Sequence, residues 1–222
     1  MASPTPAPAA AALPRTTVAA LLALTFGTGV VDAVSYLGLG HVFVANMTGN
    51  IVFLGFAANR ASGLSAVMAL IALAGFLIGA LVGGAGGHRF AGSPGWPAAV
   101  FAAQGAVLGG TAAVCAGAVV DRAWVIAPLA FAFGLQNSTA RRMAIPDLTT
   151  TVLTLTVTGL AADSRFAGGP GARPVRRFTS IATMLAGAAA GALLVAVSVP
   201  LTITAAAGCA FTAAVLLVAA RA

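Results

Sequence analysis

Residues 41–59 read HVFVANMTGNIVFLGFAAN, and residues 146–163 read PDLTTTVLTLTVTGLAAD. Both are short, Thr- or Asn-rich interruptions in a chain otherwise filled by apolar runs of bilayer-spanning length. They occupy corresponding places in the two halves, with Asn46 over Asp147, Thr48 over Thr149 and Asn50 over Thr151. Paired short segments in two hydrophobic repeats point to a transporter-like central site.

Composition sets the solvent. The 222 residues are 60% hydrophobic and 7% charged, whereas a soluble domain is about 25% charged. Too few charges remain to clothe a water-facing surface, so the chain is an integral membrane protein. Its net charge of +7 arises from eleven Arg against four Asp, with no Lys or Glu. Those Arg are scattered between apolar runs with no aromatic–basic patch, which speaks against nucleic acid and for membrane topology. Cys115 and Cys209 lie inside apolar runs and read as small buried hydrophobes, not a disulfide framework. Residues 1–15 are expected to form a flexible Pro/Ala leader, and residues 16–222 a single membrane domain.

Six full spans are expected: one from Thr16 to about Tyr36, then 64–86, 96–120, 123–140, 178–199 and 201–220. A tight turn at Asp121–Arg122 divides the domain into repeat halves of about 16–120 and 121–220. The first short helix is expected to start near Asn46 or Thr48 and stop by Asn59. The second is expected after Pro146, with Asp147 capping its first turn. Each is marginal for an untilted crossing. If neither crosses, all Arg except Arg60 and Arg122 share one side; if both cross, the division is eight against three. Both versions put both termini in the cytoplasm. Six spans give inverted repeats and eight give parallel ones. Shortness and polarity favour half-spans, so the expected fold is an all-α transmembrane bundle of six spans plus two half-span helices.

Candidate chemistry sits at the polar interruptions. Asp32 is the carboxylate deep inside a predicted span. An isolated charge there is expensive, so it faces protein or water, finds a partner or takes a proton. Proton coupling and a structural role as a hydrogen-bond acceptor are both open to it. Gln136 and Asn137 occupy a comparable place in the second half when FGTGVVD is set against FAFGLQN; their amides suit a polar ligand or a helix–helix tie. Asn46, Thr48, Gly49 and Asn50 form a sharp cluster at a helix amino end, which suits an anion or carboxylate, and Gly49 permits close approach. Asp147, Thr149 and Thr151 are their counterparts. No HExxH, phosphate-binding glycine loop or CxxC is present. No enzyme activity, cofactor or metal site is therefore expected.

The stretches VDAVSYLGLGHVFVANMTGNIVFLG and FAFGLQNSTARRMAIPDLTTTVLTLTVTGLAAD resemble the YoaK family of bacterial membrane proteins, also called DUF1275. The resemblance runs from Arg15 to Ala220. It implies a small polytopic inner-membrane protein and supplies no catalytic roles. Thr150–Thr151 stands in the place of Gly49–Asn50, so the halves are not chemically identical. The expected function is secondary transport of a small polar or anionic solute, with proton coupling through Asp32 and a homo-oligomer both open. The competing reading is a non-transporting membrane scaffold or partner-binding protein.

Overall fold

The computed structural model describes residues 14–145, 148, 150, 153–169, 171 and 173–221. Its elements are helices: α1 (Arg15–Gly38), α2 (Met47–Phe56), α3 (Ala66–Arg89), α4 (Trp96–Gly117), α5 (Arg122–Met143), α6 (Thr154–Ala162), α7 (Pro174–Val195) and α8 (Val199–Ala219). Five of them (α1, α3, α4, α7 and α8) are long and apolar enough to cross a membrane. The 22-residue α5 is less apolar because it carries Gln136, Asn137, Ser138 and Thr139 besides Arg122, Arg141 and Arg142. Residues such as Leu81, Leu185 and Leu193 are more than two-thirds exposed on α3 and α7. Such faces belong against lipid, not water.

The long helices start where local chemistry satisfies their orphan N–H groups. Ser65, Asp121 and Ser198 accept from the first turns of α3, α5 and α8, and proline occupies the first turn of α4, α7 and α8. Proline costs nothing there because its missing N–H would be unpaired anyway. By contrast, neither Asn46 at the start of α2 nor Leu153 at the start of α6 makes a side-chain cap.

Glycines fix the arrangement. Gly187 lies so close to α1 that a Cβ would come 2.1 Å from the Phe26 carbonyl, and one on Gly29 would come 2.4 Å from that of Met184. The same pair recurs on α3 and α5: a Cβ on Gly79 would meet the Phe131 carbonyl at 2.0 Å, and one on Gly134 that of Phe76 at 2.1 Å. Small residues let backbones touch where side chains offer no hydrophobic drive. Along both contacts the paired residue numbers rise together, so α1 runs parallel to α7 and α3 parallel to α5. The α4–α8 and α1–α8 contacts run the opposite way, with Gly95 near Arg221 and Gly105 on Phe211, and Gly27 near Cys209 and Gly38 near Val199. With α4 and α5 joined as a tight helical hairpin, α1 and α5 point in opposite directions.

Between α1 and α2 the chain turns back on itself. Gly40 and His41 take positive φ (111° and 59°), which ends α1. Residues 42–46 then descend beside it until the Ala45 N–H reaches Asp32, nearly two turns back from the helix end. From there α2 climbs again. Tyr36, near the end of α1, stacks on Phe43 of the descending strand and lies 6.1 Å from Phe53 of the ascending helix. A hydrogen-bonded return of this kind is the form in which irregular backbone is tolerated at membrane depth. The second half does likewise: Ala144 (φ 51°) ends α5, and Thr150 lies back alongside Gln136.

One sequence expectation shifts here. The second short helix begins at Thr154, not directly after Pro146. Thr150 adopts φ 63°, a left-handed conformation that a β-branched residue rarely takes and that cannot continue a helix. The expected cap, Asp147, lies outside the described residues, as do Thr149 and Thr151.

Candidate functional site

The two returns border a common space. A cleft of about 650 Å³ lies between the amino ends of α2 and α6. Ala45, Asn46, Met47, Thr48 and Gly49 form one wall, Leu153 and Thr154 the facing one, with Asn137, Phe76 and Met184 from α5, α3 and α7 between them. The uncapped first turns of both short helices therefore open on the same space. Their N–H groups and the associated partial positive charge favour a carbonyl, carboxylate or other electron-rich group. Among the described lining residues none carries a formal charge.

The structure separates the sequence candidates by depth. Asn46, Thr48, Gly49 and Asn137 border the cleft. Asn50, one turn into α2, is fully buried and turns away from it. Its Oδ1 accepts from the Phe43 N–H at 2.9 Å, and its Nδ2 donates to the Phe43 carbonyl. The side chain thus pairs both backbone polar groups of Phe43 in an irregular segment. Asp32 stands behind the cleft wall. Its Oδ1 accepts from the Ala45 N–H at 3.2 Å, and the Val44 and Asn46 amides also point to this carboxylate. Asp32 and Asn50 both hold the descending strand in place, and that strand presents Asn46 to the cleft.

Comparison with known proteins gives the chain its kin. The family model described as "Protein of unknown function (DUF1275)" matches residues 20–218. The chain belongs to this family. It is 36% identical over 162 residues to the UPF0700 transmembrane protein YoaK of Bacillus subtilis (strain 168), covering 69% of this chain and 68% of that one. No solved structure matches. This DUF1275 protein is accordingly a bacterial multi-pass membrane protein of the YoaK kind.

In this DUF1275 chain Gln136 does not border the cleft. It is fully buried at the meeting point of three helices and the second return. Its Oε1 accepts from Gln104 Nε2 at 2.6 Å, and its Nε2 donates to the hydroxyls of Thr28 at 3.1 Å and Thr150 at 3.0 Å. Asn137, beside it, donates to the Phe133 carbonyl at 2.9 Å. Sequence reading passed over Gln104, although an amide in mid-span is a legible signal. It also passed over Phe76 and Met184. Nothing distinguishes those two from other apolar residues until the glycine contacts bring α3 and α7 to the centre.

Proposed function

We propose that this protein is a secondary transporter of a small polar or anionic solute, built as six crossing helices plus two half-span helices in inverted repeats. The observation that carries this reading is the central cleft, where two uncapped helix ends from opposite halves face one another at the depth of Asp32. Discontinuous helices whose amino ends converge near the midplane form substrate sites in secondary transporters of inverted-repeat construction. Asn46 and Thr48, with the first-turn amides of α2 and α6, bind the solute; Asp32 is the residue through which a proton can be coupled. The halves rock about the glycine contacts to expose the cleft to either side. With both returns re-entrant, every Arg except Arg60 and Arg122 falls on one face, which the positive-inside rule makes cytoplasmic together with both termini.

Two measurements test it. Purified protein is screened for saturable thermal stabilisation by anions, amino acids, sugars and nucleobases, with hits repeated in T48V and N46A and carried into proteoliposome uptake. Stabilisation and uptake lost together in folded variants support the reading; no stabilisation and no uptake by folded wild type defeat it. Independently, cysteines introduced at Arg15 and Ser62, which bracket α1 and α2, are labelled from opposite sides of the membrane if α2 is re-entrant, and from the same side if it crosses.

A further inference from the structure

A second cavity, of about 340 Å³, opens where α6 ends and α7 begins, away from the central cleft. Arg165 and Arg177 border it with a single carboxylate, Asp163, and the Ser164 hydroxyl. Arg177 lies largely buried across Gly159, donating to its carbonyl and bridging Asp163 at 2.7 Å. Arg165 is exposed and lies along Gly171. The cavity is therefore cationic, with one of its two guanidiniums already neutralised. Leu160, Phe166 and Pro174 border it as well, and Val175 and Phe178, next in sequence to the lining residues Pro174 and Arg177, stand more than 60% exposed. Guanidinium forks beside exposed aromatic and aliphatic side chains, at the end of bilayer-crossing helices, match a phosphate head attached to acyl chains.

At the corresponding end of α2 the Asp163 and Arg177 pair has no equivalent among the described residues. There GFAAN replaces GLAAD, so Asn59 stands for Asp163, and the glycine register of α3 against α7 puts Ala69 where α7 has Arg177. The Asp163–Arg177 pair that borders the cavity is thus particular to the second half.

We infer that this cavity binds a phosphate-bearing group, the head of an anionic phospholipid, against Arg165 and Arg177, with Ser164 donating. Asp163 competes with that phosphate for Arg177, so removing its charge strengthens binding. The test is native mass spectrometry of the full chain titrated with phosphatidylglycerol, phosphatidylcholine or inorganic phosphate, on wild type, R165Q and D163N. Phosphatidylglycerol is expected to bind in preference to phosphatidylcholine. R165Q, which loses one charge-assisted contact, should weaken that binding roughly tenfold, and D163N should tighten it. Arg165 is exposed and D163N keeps an amide acceptor for Arg177, so both variants retain the fold. Displacement of the lipid by inorganic phosphate would assign the same site to a soluble phosphate. Equal binding of the two lipids, or a preference unchanged in R165Q, overturns the inference.

Discussion

Replacing Asn50 with Ala separates a scaffold residue from a ligand residue. The side chain is fully buried and makes paired hydrogen bonds to the N–H and carbonyl of Phe43. Alanine leaves both backbone groups without a partner in a region where water is scarce. An orphaned buried group costs about 1–3 kcal/mol, and Phe43 is only part-buried, so the sum is about 2–4 kcal/mol. On the scale of a 222-residue chain this corresponds to a fall of roughly 5–15 °C in midpoint temperature. The loss extends to the aromatic stack, because Phe43 lies face to face with Tyr36 and Phe53 at centroid distances of 5.2 and 5.6 Å. The assay is thermal unfolding of detergent-purified N50A, with no solute added. N50D keeps the acceptor for the Phe43 N–H and loses the donor, so it should fall between wild type and N50A or below both if its charge is retained. Wild-type stability in N50A combined with loss of solute binding would refute this reasoning and return Asn50 to the cleft.

At the helix crossings, G187A and G79A each drive a Cβ to about 2 Å from a backbone carbonyl and should cost more than about 2 kcal/mol by overpacking. G109A and G110A meet nothing within 4 Å and should be neutral or stabilising by up to about 1 kcal/mol; equal losses in both sets would discount the close contacts. Q136L strands Gln104 Nε2 and should destabilise by about 1–3 kcal/mol, whereas Q104L/Q136L removes both partners and should recover part of that loss. SDS titration of the single and double variants reads the difference, and a double variant no better than Q136L would count against the network. Asp32 is probed by D32N, which keeps an Oδ1 acceptor for Ala45, and D32A, which does not. D32N should fold like wild type and D32A should unfold earlier; uptake driven by a pH gradient and lost in folded D32N would add proton coupling. Finally, R177A should raise hydrogen exchange across α6 and leave α2 unchanged, since Arg177 ties the α6 end through Gly159 and Asp163.

The sequence discloses the helices well because lipid imposes a single rule, that backbone groups pair within the segment. Apolar length and Gly/Pro punctuation therefore come within a few residues of the observed ends of α1, α3, α4, α5, α7 and α8. The same rule fails at the second return. A run of Thr between Pro146 and Thr158 reads as weak helix, yet Thr150 is held in a left-handed turn by a tertiary partner, Gln136. Sequence periodicity carries no record of that hydrogen bond. The amides were legible as important but not as to purpose. Asn46 borders the cleft, while Asn50 one turn later serves the protein's own backbone, and both look alike as letters in a polar cluster. Phe76 and Met184 were illegible for the converse reason: they reach the cleft because Gly134 and Gly29 let α3 and α7 approach.

Departures from equivalence between the halves say more about mechanism than the likeness does. Equal returns would give a cleft equally disposed to open on either side. Here the α1 position facing its strand is Asp32, and its counterpart on α5 is Asn137. A carboxylate can gather several backbone N–H groups and can take up a proton; an amide offers one acceptor and a donor and cannot titrate. If the proposed proton coupling operates, the first return is the one whose backbone contacts it can alter. The second is braced by permanent devices, with Gln136 on Thr150 at its start and Arg177 on Gly159 and Asp163 at its end. At the end of α2 the corresponding Asn59 merely accepts from the nearby Ala61 N–H. In the proposed transport cycle α6 would be the fixed wall and α2 the moving one. On that proposal, protonation of Asp32 would weaken its hold on the Ala45 N–H and so on the segment that carries Asn46, and release of the proton would accompany closure of the cleft.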